Sequence, residues 1–93
     1  MCSGRIRRRV LVTGRVQGVF FRGSVEEEAR SRGVDGWVRN LLDGGVEAVF
    51  EGSPAAVDAL VGFCRRGPRF SRVEALEVAE EEPEPLRGFR ILR

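Results

Sequence analysis

The chain has 93 residues, 42% apolar and 32% charged, and its 16 basic against 14 acidic residues leave a formal charge of +2. These figures describe a single globular domain over residues 1–93, ordered from about 6 to 92, with one modest core, and they exclude a disordered chain. So small a charge makes no case for nucleic acid, and no apolar run is long enough to cross a bilayer, so neither nucleic acid nor membrane is expected as a partner.

The first predicted element is a strand over 5–13, where Ile6, Val10, Leu11 and Val12 supply β-branched and apolar character and Gly14 ends it. Residues 22–32 read as a helix. Phe21, Val25 and Ala29 recur every four positions as an apolar stripe, Glu26–Arg30 and Glu28–Arg32 are i,i+4 pairs on the wet side, and Gly33 is placed to stop it. A second strand over 34–40 runs into the turn signal Asp43-Gly44-Gly45, and so into a hairpin. The third strand, 46–51, alternates Val46, Ala48 and Phe50 with Glu47, Val49 and Glu51.

A second helix opens at Ser53, its expected N-cap, with Pro54 in first position. Val57, Leu60, Val61 and Cys64 form its apolar stripe, Arg65 and Arg66 suit its C-terminal end, and Gly67-Pro68 stops it. A fourth strand spans 72–80, an exposed acidic loop follows over 80–85, and Phe89, Ile91 and Leu92 close the chain as a short extra strand. This order predicts the ferredoxin-like split βαβ plan (βαββαβ), an α+β fold with both helices on one face of an antiparallel sheet and water on the other.

Composition narrows the chemistry. There is no histidine and no tyrosine, so imidazole relays and imidazole metal sites are excluded. Every basic residue is arginine, which coding bias explains more simply than heat resistance. Cys2 and Cys64 make no disulfide framework; Cys64 falls on the second helix's apolar stripe and is expected in the core. The N-terminal Met1-Cys2-Ser3-Gly4-Arg5 is basic without an apolar stretch behind it, so a secretory leader is not expected and the cytoplasm is.

Two stretches carry possible chemistry. The first is the strand–helix loop Gly14-Arg15-Val16-Gln17-Gly18-Val19-Phe20-Phe21-Arg22. Its glycines let a ligand approach the main chain, and a loop feeding a helix N-terminus collects unpaired N–H groups that can cradle an anion. Arg22 is unexpected there, because a cation near a helix N-terminus is disfavoured by roughly 0.3–1 kcal/mol. A bound phosphate gripped by the guanidinium fork offsets that; so does a plain pair with Glu26. The spacing is neither a Walker nor a Rossmann motif. The second stretch runs from Gly36 to Gly52. Asn40 stands either as a turn residue or as part of a site, Asp43 belongs to the turn, and Trp37 reads as a packing residue. The strand pattern alone does not decide which loops adjoin Asn40.

Taken together, Val12 to Arg22 (VTGRVQGVFFR) and Gly36 to Gly52 (GWVRNLLDGGVEAVFEG) resemble the two signatures of the acylphosphatase family, in the same order, and the similarity of plan covers about residues 6–92. The resemblance implies a cofactor-free, metal-free hydrolase that splits the carboxyl–phosphate bond of acyl phosphates into a carboxylate and inorganic phosphate. It assigns phosphate binding to Arg22 and to the main-chain N–H groups of Arg15, Val16, Gln17, Gly18, Val19 and Phe20, and water placement to Asn40. The chain's partner is then a small acyl phosphate, with phosphate as product and competitive inhibitor; nothing in the sequence demands more than a monomer, so a monomer is expected. Gly23, directly after the key arginine, is expected to weaken the first helical turn by about 1 kcal/mol.

That chemistry suits the composition. A carboxylate leaving group needs little acid catalysis, and phosphoryl transfer runs largely on positioning and charge stabilisation. Arginine stays protonated and asparagine is no base, so a phosphate oxygen of the substrate is expected to take the water's proton. Two other readings fit the strand order: an RNA-binding sheet, disfavoured by Glu47 and Glu51 opposite Phe50, and an anion sensor without turnover. A purely structural partner domain leaves the Gly14–Arg22 loop unexplained.

Overall fold

The computed structural model describes residues 4–18, 20–69, 71–84 and 86–92. In chain order these form strand β1 (Ile6–Arg15), helix α1 (Phe21–Ser31), strands β2 (Asp35–Asn40) and β3 (Val46–Gly52), helix α2 (Pro54–Arg66), and strands β4 (Arg72–Glu81) and β5 (Phe89–Ile91). Each expected element is present, its ends moved by one or two residues. The sheet order is β4-β1-β3-β2-β5, with β1 and β3 central, as the split βαβ plan requires.

The sheet is mixed rather than wholly antiparallel, because β5 pairs parallel with β2 while every other pair is antiparallel. The reason is the route of the chain. A strand that re-enters the sheet from the end where β4 leaves it must run opposite to β4. Since β2 also runs opposite to β4, the new edge pairing is parallel. Three bonds hold the crossing segment to the sheet end: Glu84 N–H donates to Glu51 Oε1 at 2.9 Å, Gly88 N–H to Asp35 Oδ1 at 2.9 Å, and Gly36 N–H to the Gly88 carbonyl at 2.9 Å.

Both helices lie on one face. Phe21, Val25 and Ala29 of α1 and Val57, Leu60 and Cys64 of α2 are buried against Val10, Val12, Val38, Val46, Ala48 and Phe50. Phe50 stacks on Phe89 with centroids 5.8 Å apart and rings inclined by 16°, which ties the parallel edge strand to the centre. Burial of a side chain such as Phe50 is worth about 1.5–3 kcal/mol. The helix ends follow the sequence signals: Ser53 Oγ accepts from Ala56 N–H at 3.3 Å, and Gly67 N–H donates to the Phe63 carbonyl at 2.8 Å. Burial pushes the Cys64 thiol up to about 12, so it stays protonated and is no nucleophile. Cys2 lies outside the described residues.

The outer face departs from the expected open, wet surface. Every residue of β3 is buried, including Glu47 and Glu51. The covering atoms are guanidinium groups of neighbouring strands. Glu47 is clamped by Arg9 of β1 and by Arg39 of β2, the latter at 2.7 Å; Glu51 is met by Arg5 at 2.9 Å and by Arg7 at 3.5 Å. Arg39 also lies over the Trp37 ring, 5.6 Å from its centroid, a cation–π contact that covers the indole. With the acids neutralised and the indole covered, this face offers, among the described residues, no free aromatic platform of the kind single-stranded RNA needs.

Burial alone would push the Glu47 carboxyl up, but hydrogen bonds from Arg39 and Arg9 outweigh it and hold it below its ordinary value of 4.5. Glu51 is likewise held below 4.5: burial opposes, and the Glu84 N–H and Arg5 prevail. A carboxyl whose folded value is depressed contributes stability that is present above its unfolded value and lost as pH falls through the folded value. The urea midpoint should therefore fall as pH drops below about 4.5, and Glu47→Gln should flatten that dependence. Glu47→Ala should cost about 1–3 kcal/mol in urea unfolding. It should not reach the upper range for a broken buried pair, because Arg9 and Arg39 keep 43% and 45% of their side-chain surface in water.

Candidate active site

The site grows from the end of β1. A register shift between Thr13 and Gly14 kinks the strand against β4. Gly14 takes φ of 126°, and a Cβ there would lie 2.1 Å from the Arg72 carbonyl oxygen, so only glycine fits the bend. Arg15 remains in the strand, paired with Arg72, and the loop proper begins at Val16. The Val16 side chain is buried in the core and pins the loop from below. Gly18 turns with φ of 74°; Val19 lies outside the described residues. Phe20 is the N-cap of α1 in the left-handed conformation (φ 60°, ψ 29°), and no side chain caps this helix or places an acid in its first turn. α2, capped by Ser53 with Pro54 at its start, shows the ordinary solution. At α1 the first-turn N–H groups are left for something else.

Arg22 follows in that first turn. Its alternative partner, Glu26, pairs instead with Arg30 at 3.1 Å, and Glu28 pairs with Arg32 at 2.9 Å; no ion pair joins Arg22 to Glu26. Arg22 and Asn40 line one hollow of about 320 Å³ together with Val16, Gly18, Phe20 and Ile91. Asn40, the last residue of β2, pairs with Val46 and shares the helix-side face with Gly36 and Val38, which turns it toward α1. Its Oδ1 is buried and finds no hydrogen-bond donor among the described residues. Buried acceptors are almost always satisfied, so an orphan in a hollow beside an arginine marks a place built for a ligand or a bound water.

The role of the Gln17 side chain is new relative to the sequence reading. Its Nε2 donates to the Leu41 carbonyl at 2.7 Å and to the Gly45 carbonyl at 2.8 Å. One amide thus ties the β1–α1 loop to the β2–β3 turn that carries Asn40. The signal was a single amide residue in a loop otherwise of glycine, valine and arginine. Ile91, which walls the hollow, had no sequence signal, because nothing in a terminal apolar pair says which strand it will join. Asp43 serves the turn as expected, its Oδ1 accepting from Gly45 N–H at 2.9 Å. Gly23 has a steric role beyond its helix cost: a Cβ there would lie 2.3 Å from the Phe20 ring. Among the described residues no three His, Cys, Asp or Glu side chains converge as a metal ion would need.

Fold and site together define an α+β plait with a glycine-containing loop leading into an uncapped helix at one end of its sheet. The acylphosphatase family model matches residues 8–91. Curated acylphosphatases from Natronomonas pharaonis and Rubrobacter xylanophilus are 53% and 61% identical, over 98% and 91% of this chain and 99% and 78% of theirs. The crystal structure of acylphosphatase from Bacillus subtilis superposes with a TM-score of 0.91 at 39% identity, covering 95% of this chain and 99% of that one. The chain belongs to the acylphosphatase family. It is a hydrolase with acylphosphatase function.

Gln17→Ala should lower the melting temperature by an amount equivalent to about 1 kcal/mol, since two part-buried carbonyls each lose one of their two donors. It should also reduce kcat, because the loop and Asn40 lose their tie. Unchanged kcat in a variant with a lowered melting temperature would confine Gln17 to stability.

Proposed function

We propose that Arg22, the main-chain N–H groups of Arg15, Val16, Gln17, Gly18, Val19 and Phe20, and Asn40 carry the hydrolysis of small acyl phosphates. The phosphoryl group sits at the uncapped start of α1, where the helix dipole and the loop amides oppose its charge. The Arg22 guanidinium grips two non-bridging oxygens in a fork. The water donates one O–H to Asn40 Oδ1, which leaves its lone pair free for in-line attack on phosphorus. As the new P–O bond forms, the bond from phosphorus to the acyl oxygen breaks and the carboxylate leaves with that electron pair. The water's proton passes to a phosphate oxygen. No group on the protein has to change protonation, in keeping with a chain that has no histidine. Donors fixed before the reaction stabilise charge without reorganising.

The observation that carries this reading is the buried Asn40 Oδ1, without a hydrogen-bond donor among the described residues, in the hollow that Arg22 lines. A catalyst of this kind works as a single-domain monomer over residues 1–93, in the cytoplasm, without a cofactor, and is inhibited competitively by its product phosphate.

Hydrolysis of benzoyl phosphate in chelator-treated buffer, with inorganic phosphate as competitor, tests it. Arg22→Ala should lower kcat/KM by about a hundredfold or more and abolish phosphate inhibition. Arg22→Lys should recover little, because an ammonium cannot reproduce the planar fork. Asn40→Ala should lower kcat by a similar factor with little change in KM, since it orders water rather than substrate. Normal turnover by Asn40→Ala would end the water-placing role.

A further inference from the structure

We propose that the Phe20 ring is the acyl-group platform of this site and gives it a preference for aromatic over small aliphatic acyl phosphates; this rests on the phosphate position proposed above. Phe20 combines three observations. It is the sole non-glycine described residue with positive φ, at 60°, a conformation unfavourable for a bulky side chain. The residue is 68% exposed, although a ring of this size is ordinarily placed where it loses water. Its ring lies on Gly23, where any side chain would collide with it. Packing in the core explains none of these, because the ring is not in the core.

The same hollow explains all three. Its polar groups, Arg22 and Asn40, are taken by phosphate and water. The rest of its wall is apolar, from Val16, Phe20, Phe21 and Ile91. An acyl phosphate bound by its phosphoryl end must direct its acyl group along that wall. Left-handed geometry at the N-cap places the Phe20 ring beside the phosphate-binding turn rather than beneath it, and the missing Cβ at position 23 gives the ring its seat. An aromatic acyl group can lie against the exposed ring face with the offset geometry such pairs favour. An acetyl group offers it little surface.

The measurement is kcat/KM for benzoyl phosphate and for acetyl phosphate in the same preparations, with the inhibition constant of inorganic phosphate alongside. Phe20→Ala should reduce the benzoyl-to-acetyl ratio by about 3- to 10-fold, chiefly through KM, and Phe20→Tyr should restore it. Gly23→Ala, which displaces the ring without altering it, should lower the same ratio. The phosphate constant should follow the acetyl phosphate result rather than the benzoyl one. If both substrates and phosphate weaken by one common factor in Phe20→Ala, the ring only shapes the loop and the proposal is overturned. A wild-type protein that hydrolyses neither substrate would instead sink the functional reading beneath it.

Discussion

The site depends on the register of three strands. One row across the sheet reads Leu76, Val12, Val46, Asn40, on β4, β1, β3 and β2 in turn. Asn40 is therefore two strand spacings, roughly 10 Å, from the residue that leads into the bend at Gly14. A slip of β2 by one residue would send Asn40 to the outer face among the arginines and bring an outer-face residue under α1. Hydrophobic alternation guards against that slip, since Gly36, Val38 and Asn40 face the helices while Asp35, Trp37 and Arg39 face outward. The Gln17 amide then locks the loop to the turn at the same end.

The outer face shows how a small domain can cover a sheet without a third layer. Guanidinium groups lie over two central carboxylates, and their stems shield the strands beneath. Planar, forked donors suit this better than ammonium groups would. Partial solvent contact of Arg9 and Arg39 limits how strongly the clamp on Glu47 stabilises the fold. On that face Arg5, Arg7 and Arg9 at β1 and Arg39 of β2 pair with Asp35, Glu47, Glu51 and Glu81, while Arg22 in the first turn of α1 pairs with none of these acids.

The end of the sheet where α1 begins departs from the usual rules. α1 has no side-chain cap, Asn40 Oδ1 has no donor among the described residues, and Phe20 sits in an unfavourable backbone region. Each feature costs the free protein some stability. The rest of the chain is built conventionally, as the Ser53 cap and the closing Gly67 of α2 show. Local disagreement with the rules of stability is thus concentrated at that end of the sheet, although Arg7 Nη1 on the outer face is also buried without a hydrogen-bond partner among the described residues.

Much was determined by the amino-acid sequence alone: the element order, the core stripes of both helices, the split βαβ plan and the candidacy of Arg22 and Asn40. Those features follow from local periodicity, capping residues and turn chemistry, which act over a few positions. Tertiary structure decided the rest. The parallel seat of β5, and with it the placing of Ile91 in the hollow, depends on the path of the chain around the sheet end. Burial of Glu47 and Glu51 depends on arginines from other strands, so alternation alone marked them as wet. The choice between Asn40 as a turn residue and Asn40 as a site residue turns on what lies across the sheet from it. Residues distant in the chain become neighbours only through strand pairing, and a local pattern holds no record of that distance.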